Sequence, residues 1–369
     1  MGYHLLYPLF LKYKDSYPFF KIFNLFQYIT FRASLAVLTT LILSFIIGPA
    51  LIRYLTKKKI GQSIRELGPE THQVKSGTPT MGGVLIIFST AISVLLWARL
   101  DNKYVWLGLF ALVSFGAIGF IDDYRKLILK NTEGLKARYK IILQLLFSMI
   151  IVGIIYFTDK TPDKISSKLF VPFLNTALFN MFLAFIPFGV VLLIGSSNAV
   201  NLTDGLDGLA IGCTLFVIAA FTILTYLCGH IKIASYLKIP FIKESAELTV
   251  FCASLVGACL GFLWYNAHPA QVFMGDTGSL SLGGAIGTIA LMIKKELLLL
   301  IVGGIFVAEA FSVILQVLYF KWKKKRIFLM APLHHHFEMK GWAESKVIIR
   351  FWIIGIILAM VGLATLKIR

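Results

Sequence analysis

Ten apolar runs of bilayer-crossing length, spaced along a single chain of 369 residues, leave few folds open to it. They cover approximately 33–52, 81–98, 104–121, 141–157, 177–194, 209–228, 247–265, 278–293, 297–320 and 347–366. A hydrocarbon core takes roughly 17–25 apolar helical residues to cross. Inside lipid a helix satisfies its own backbone groups, whereas an open strand does not. The runs therefore predict an all-α polytopic membrane protein with ten transmembrane helices, built as one bundle over residues 1–369. Composition agrees, with 58% hydrophobic and 15% charged residues against about 45–50% and 25% in soluble chains. The run 278–293 is short and glycine-rich, which predicts a strongly packed, tilted or partly broken helix. Gly257-x-x-x-Gly261 and Gly283-x-x-x-Gly287 allow helices to approach closely. The first thirty residues set Phe19, Phe20 and Phe23 among Lys12, Lys14 and Lys21. They read as an interfacial lead-in or a buried segment, because no short apolar core precedes a small-residue cleavage site.

Thirty-six Lys and Arg against eighteen Asp and Glu leave a formal charge of +18. In a soluble chain that balance would suggest nucleic acid. Here the basic residues lie between the apolar runs, so membrane lipids and phosphorylated substrates are the expected partners and nucleic acid is not. The four cysteines all fall inside apolar runs with no C-x-x-C spacing, which reads as packing rather than a disulfide or zinc framework.

Consecutive connections alternate between the two membrane faces. Those after odd-numbered runs are 53–80, 122–140, 195–208, 266–277 and 321–346, and every notable polar cluster falls in one of them. The opposite connections, 99–103, 158–176, 229–246 and 294–296, hold no comparable constellation. Five distant segments meeting at one rim predict a single active site. Basic stretches such as Lys57-Lys58-Lys59 and Lys323-Lys324-Lys325-Arg326 assign that rim to the cytoplasm. Both termini would then lie outside.

The clusters suggest what the rim does. Asn198, Asn201, Asp204 and Asp207 recur every three residues between two apolar runs, and ionisable groups at such depth are expensive unless they function. A 3₁₀ turn or a break near Gly205 would keep the four aligned. Asp122 and Asp123 are adjacent and mutually repulsive, which suits a divalent-metal site or a general base. Solvated helix ends and polar loops are the plain alternatives, but a carboxylate pair is disfavoured at a helix C-terminus. Asp276 sits between Gly275 and Gly278 at the start of a run, where free N–H groups favour an anion. A carboxylate beside that anion would need Mg²⁺ between them, bound through oxygens. His334, His335 and His336 point about 100° apart on a helix, so hydrogen bonding to phosphate or uridine groups is expected rather than a shared zinc ion. Lys75, Thr78 and Thr80 give a basic, hydroxyl-bearing turn suited to phosphate.

These blocks together resemble the bacterial polyprenyl-phosphate N-acetylhexosamine-1-phosphate transferase superfamily, and within it the phospho-N-acetylmuramoyl-pentapeptide-transferase branch. The matching segments are Gly77-Thr-Pro-Thr-Met-Gly-Gly83, Asp122-Asp-Tyr-Arg-Lys126, Asn198 to Leu209, Pro269-Ala-Gln-Val-Phe-Met-Gly-Asp276 and Ala331-Pro-Leu-His-His-His-Phe337. They run through nearly the whole chain in the family's order, and the histidine block with Lys340-Gly341-Trp342 belongs to the muramoyl-pentapeptide branch. The resemblance implies ten transmembrane helices in the bacterial cytoplasmic membrane, with the site facing the cytoplasm. It also implies transfer of phospho-N-acetylmuramoyl-pentapeptide from its UDP conjugate to undecaprenyl phosphate, giving lipid I and UMP, with Mg²⁺ as cofactor, and it suggests a homodimer. By resemblance Asp276 is the Mg²⁺ ligand, Asp122 orients or deprotonates the lipid phosphate with Asp123 beside it, and Lys75, Thr80 and Lys126 hold phosphates. Asn198, Asn201, Asp204, Asp207 and Asn266 shape the nucleotide and metal pocket, and His334, His335 and His336 contact the donor. Direct attack by the lipid phosphate and a covalent aspartyl intermediate both remain open, with direct attack expected because a lipid phosphate is already ionised. A UDP-N-acetylglucosamine transferase and an ion-coupled transporter are the rival readings. Transporters place their sites near the midplane, often between repeats, and no repeat is evident here.

Overall fold

In a computed structural model, the described residues are 2–13, 18–58, 77–127, 134–159, 161, 164–174 and 176–367. The chain is helical almost throughout. A short helix α1 (Gly2–Tyr13) and a 3₁₀ segment (Pro18–Gln27) lead into α2 (Ile29–Lys57), α3 (Gly83–Trp97), α4 (Lys103–Leu127) and α5 (Ala137–Phe157). A two-stranded antiparallel hairpin, β1 (Lys168–Phe170) and β2 (Ala177–Asn180), precedes α6 (Phe185–Thr203), α7 (Leu209–Gly229) and the short α8 (Ile231–Tyr236). Then come α9 (Ser245–Asn266), α10 (Gly275–Met292), α11 (Glu296–Val302), α12 (Gly304–Lys323), α13 (Leu333–Met339) and α14 (Glu344–Ala364).

Among the described residues eight helices are long and apolar enough to cross a membrane, and α3 is a shorter apolar helix. The all-α membrane architecture stands on these. Two of the expected runs have a different form. The run 177–194 begins as a strand, because Ala177–Asn180 pairs with Lys168–Phe170 and the Asn180 side chain accepts the Phe182 N–H before the helix starts. The run 297–320 is two helices, since Gly303 ends α11 and opens α12.

The glycine-rich run is α10, and it is packed rather than broken. Every residue from Thr277 to Met292 is buried, so this helix is enclosed by protein and needs no lipid-facing leucine or isoleucine. It lies against α4, α6 and α3. Side chains at Gly283 and Gly287 would collide with α6 at Ser196 and Ser197, and side chains at Gly257 and Gly261 would collide with α2. Both small-residue motifs are thus contact surfaces.

The alternation of helices puts the C-termini of α4, α6, α9 and α12 at the same end as the N-termini of α3, α5, α7, α10 and α14. Both ends of the described chain sit at the other end. There Leu100 donates its N–H to His4 of α1 at 3.2 Å, and Lys367 donates to the Tyr236 hydroxyl at 2.7 Å. Charges buried at that far end are paired. Arg32 makes a two-pronged contact with Glu247, 2.7 Å on each arm, and Lys294 pairs with Glu296 while donating to the Ser166 carbonyl.

Candidate active site

The carboxylates collect around the first turn of α10. A strap from the chain before α3 fixes that turn: Phe273 donates to the Pro79 carbonyl at 2.8 Å, and Gly82 and Gly83 donate to Phe273 and Met274, each at 2.9 Å. Gly275 adopts φ +74°, a left-handed conformation that an L side chain resists. The turn it allows aims the Asp276 side chain at α4 and α5.

Asp123 is the carboxylate on which α10 begins. One oxygen accepts from the Thr277 N–H at 2.9 Å and from its hydroxyl at 2.7 Å, and the other accepts from the Asp276 N–H at 3.3 Å. A helix N-terminus has unpaired donors and a partial positive charge, so a carboxylate there is stabilising. The anion cradle expected at this terminus therefore exists, and Asp123 occupies its first donors. Thr80, 5% exposed, is packed behind Gly275 and not on the open surface.

Asp276 is about one-fifth exposed at the opening, and Asp122 lies buried beside it. Lys126, one helical turn after Asp122, bridges them at 2.6 and 3.3 Å. Lys140, in the first turn of α5, lies 2.8 Å from Asp276 and 3.8 Å from Asp122. The other Asp122 oxygen accepts the Leu135 N–H at 2.7 Å. Asn201 donates to the second Asp276 oxygen and to the Ser279 hydroxyl, both at 2.8 Å. Asp204 follows at the end of α6. Desolvation, with Asp276, Asp123 and Asp207 close by, pushes its carboxyl well above the usual carboxylate range, opposed by the Gly275 N–H.

The row of four polar residues does not line one pocket. Asn198 and Asn201 lie on regular α-helix, and the backbone breaks only from Asp204 to Gly208. The α-helical twist turns Asn198 away, to Gln144 at 3.0 Å and the Ile194 carbonyl. Asp207 joins a neighbouring group. Its carboxylate accepts the Ala270 N–H at 3.0 Å and lies 3.3 Å from His268, while its N–H donates to Glu344 of α14. Asn266 ties that group together, accepting from Gly208 and donating to the Val272 carbonyl.

The histidines diverge, as consecutive helical positions must. His334 is fully buried; its backbone N–H donates to Glu309 of α12 at 3.2 Å, and its ring packs against Gly205. His335 pairs with Glu338 at 2.8 Å, and His336 accepts the Leu329 N–H at 3.1 Å. Lys75 lies outside the described residues. The sequence reading did not single out Lys140, His268, Glu309 or Glu344. Only Lys140 carried a signal, as a basic residue closing the connection that starts at Asp122.

Four carboxyl groups (Asp122, Asp123, Asp204, Asp276) thus stand against two ammonium groups (Lys126, Lys140) among the described residues, and the raised Asp204 carboxyl reflects its burial and how closely the acids are crowded. The ligand atoms these four side chains offer are all carboxyl oxygens, with no thiol among them. That set fits a hard divalent cation such as Mg²⁺ better than zinc or copper.

Comparison with known proteins gives the family. The profile of Glycosyl transferase family 4 matches residues 105–294, and the phospho-N-acetylmuramoyl-pentapeptide-transferase signature 1 matches residues 75–87. The phospho-N-acetylmuramoyl-pentapeptide-transferase of Rickettsia felis is 55% identical over 350 residues, covering 94% of this chain and 96% of the relative. Those of Rickettsia rickettsii and Rickettsia africae are equally similar over the same shares. With the signature including Pro79, Gly82 and Gly83 of the strap that holds the Asp276 turn, and the identity extending over nearly the whole chain, the chain belongs to the phospho-N-acetylmuramoyl-pentapeptide-transferase family.

Proposed function

We propose that the protein transfers phospho-N-acetylmuramoyl-pentapeptide from its UDP conjugate to undecaprenyl phosphate, forming lipid I and UMP. It does so at the cytoplasmic face of a bacterial inner membrane. The observation that carries the chemistry is the pair Asp122 and Asp276, bridged by Lys126 and Lys140, with Asp204 close by at the same end of the bundle. The donor and acceptor are both anionic, so the barrier is largely the work of bringing two phosphates together.

An oxygen of the lipid phosphate forms a bond to the phosphorus that bears the sugar. The bond from that phosphorus to the bridging oxygen breaks, and its electron pair leaves with UMP. One phosphoanhydride replaces another, so the step is close to thermoneutral and reversible. Lys126 and Lys140 share their N–H groups between the carboxylates and the incoming phosphate oxygens. Asp122, held by Lys126 and the Leu135 N–H, orients the acceptor, which arrives ionised and needs no strong base. Asp123 keeps the α10 turn in place. Asp276 and Asp204 would supply oxygen ligands for Mg²⁺, which would offset the crowded acidic groups and the diphosphate charge. The neighbouring Asp207, Asn266 and His268 group offers the polar contacts a nucleoside needs. The basic segments around the site, including Lys323 to Arg326, support the cytoplasmic placement.

The test is UMP release with both substrates across a Mg²⁺ titration, for the wild type and Asp276→Asn. Mg²⁺-dependent release, with a loss of on the order of 10²-fold or more in the variant, is expected. Full activity of Asp276→Asn would remove the metal assignment, and no release from folded wild-type protein would remove the reaction.

A further inference from the structure

Five of the six residues from Lys321 to Arg326 are basic, and no Asp or Glu lies between Glu309 and Glu338. Such a stretch is usually a loose, solvated loop. Here it is held in one shape. The α12 helix ends at Lys323, and Lys324 reverses the chain with φ +55°. Gln316, seven residues back on α12 and so about 10 Å along its axis, then grips the returning chain. Its side-chain oxygen accepts the N–H groups of Ile327 and Phe328 at 3.1 and 3.0 Å, and its amide donates to the Phe328 carbonyl at 3.1 Å. The returning limb is pinned again beyond this, where Leu329 donates to His336 and the Phe328 ring meets the His336 ring at 5.6 Å.

From this we infer that residues 321–329 form a preshaped basic hook that binds the phosphate headgroups of anionic phospholipids in the leaflet facing the carboxylate site. All residues from Lys321 to Ile327 are exposed. The tip presents Lys323, Lys324, Lys325 and Arg326, and the Lys323 ammonium lies 3.9 Å over the Trp322 ring. Trp322 itself is 74% exposed, with Phe320, Ile327 and Leu329 about half exposed beside it. Cations at the tip with apolar groups on both limbs match the headgroup–acyl boundary, where tryptophan collects. A zwitterionic headgroup would leave the clustered charge unbalanced, whereas an anionic one balances it. Because Gln316 already orders the limbs, binding costs little further ordering. The hook is tied to the histidine helix α13, so a bound lipid also steadies the wall of the active site. The inference does not depend on which reaction that site performs.

The experiment uses the full chain reconstituted in phosphatidylcholine vesicles carrying a minor fraction of dibrominated phosphatidylglycerol or, in parallel, dibrominated phosphatidylcholine. Trp322 quenching is read as the difference between the wild type and Trp322→Phe. Each basic residue near an anionic surface strengthens binding about fivefold. The wild type should therefore show an at least tenfold preference for phosphatidylglycerol, decreasing with salt. Replacing Lys323, Lys324, Lys325 and Arg326 together by Gln should abolish it. Gln316→Leu keeps every charge and should weaken it several-fold. Equal quenching by both lipids in the wild type, or a preference that survives neutralisation, would overturn the lipid site. An unchanged preference in Gln316→Leu would overturn the preshaped hook.

Discussion

Gly275→Ala isolates the geometry on which the site depends, because two separate costs act at that position. The first is conformational. Gly275 has φ +74°, and an L residue held there loses about 1–2 kcal/mol. The second is overlap. A Cβ would stand 2.7 Å from an oxygen of Asp123 and 3.0 Å from the Thr80 hydroxyl. Asp123 cannot swing aside without releasing the N–H groups and the hydroxyl that start α10. Restoring an ordinary contact of about 3.5 Å needs roughly 0.8 Å of movement, with an overpacking cost of about 1–3 kcal/mol. Misplacement of about 1 Å can cost on the order of 10²-fold in rate, so kcat should fall at least tenfold. Gly341→Ala is the control: Gly341 has φ +83° with nothing within 4 Å of its Cβ position, so it carries the conformational cost alone. All four cysteines are buried and free, which lets a thiol-reactive dye report unfolding in detergent. Gly275→Ala should unfold below Gly341→Ala and lose activity, while Gly341→Ala should lose stability alone. If the two variants unfold together and Gly275→Ala keeps wild-type kcat, the tight Asp123–Gly275–Thr80 packing is not what positions Asp276.

Arg32→Met leaves Glu247 buried without its two-pronged partner and should destabilise by about 3–5 kcal/mol, read in the same dye assay; adding Glu247→Leu should recover much of that loss. Glu309→Leu removes the acceptor of the buried His334 backbone N–H, a desolvation loss of about 1–3 kcal/mol. Because His334 packs on Gly205 in the turn carrying Asp204 and Asp207, the kcat/KM for the nucleotide donor should drop with it, and rise again in Glu309→Gln, which retains an acceptor oxygen. An inactive but fully stable Glu309→Gln would mean that the charge, and not the hydrogen bond, is what His334 requires.

Much of this arrangement is legible in the sequence, and what is not fails for identifiable reasons. Parity alone brings Asp122, Asn201, Asp204, Asp276 and His334 to one rim, because helices that cross a membrane must alternate. The spacing of three from Asn198 to Asp207 is a weaker guide, since residues three apart drift around an α-helix. That drift separates Asn198, which serves Gln144, from Asn201, which serves Asp276. Pairings between distant segments leave no local trace. Arg32 and Glu247 are 215 positions apart, and Glu309 reads as an isolated charge in an apolar run until His334 is placed beside it. Hydropathy also misjudges enclosure. It marks α10 as a poor membrane helix, when the small, polar residues that lower its score are what let it sit at the centre.

The enclosure of α10 also explains why the acidic groups gather where they do. A helix facing lipid is free to tilt and slide, because its neighbours on that side are fluid. The helix α10 has no such side, and the glycines and serines that close its contacts with α4 and α6 also remove its freedom to move. Asp123 then fixes its first turn from α4, so Asp276 is held against Asp122 by the backbone on both sides of the opening. Acidic groups gathered at one point would relax apart on mobile elements, and the field they offer a cation would be lost. Electrostatic stabilisation of a reaction depends on groups that need not reorganise as charge shifts. Placing the acids on the most enclosed helix and its immediate neighbours meets that requirement, while Lys126 and Lys140, which exchange partners in the proposed reaction, sit on flexible stems at the opening.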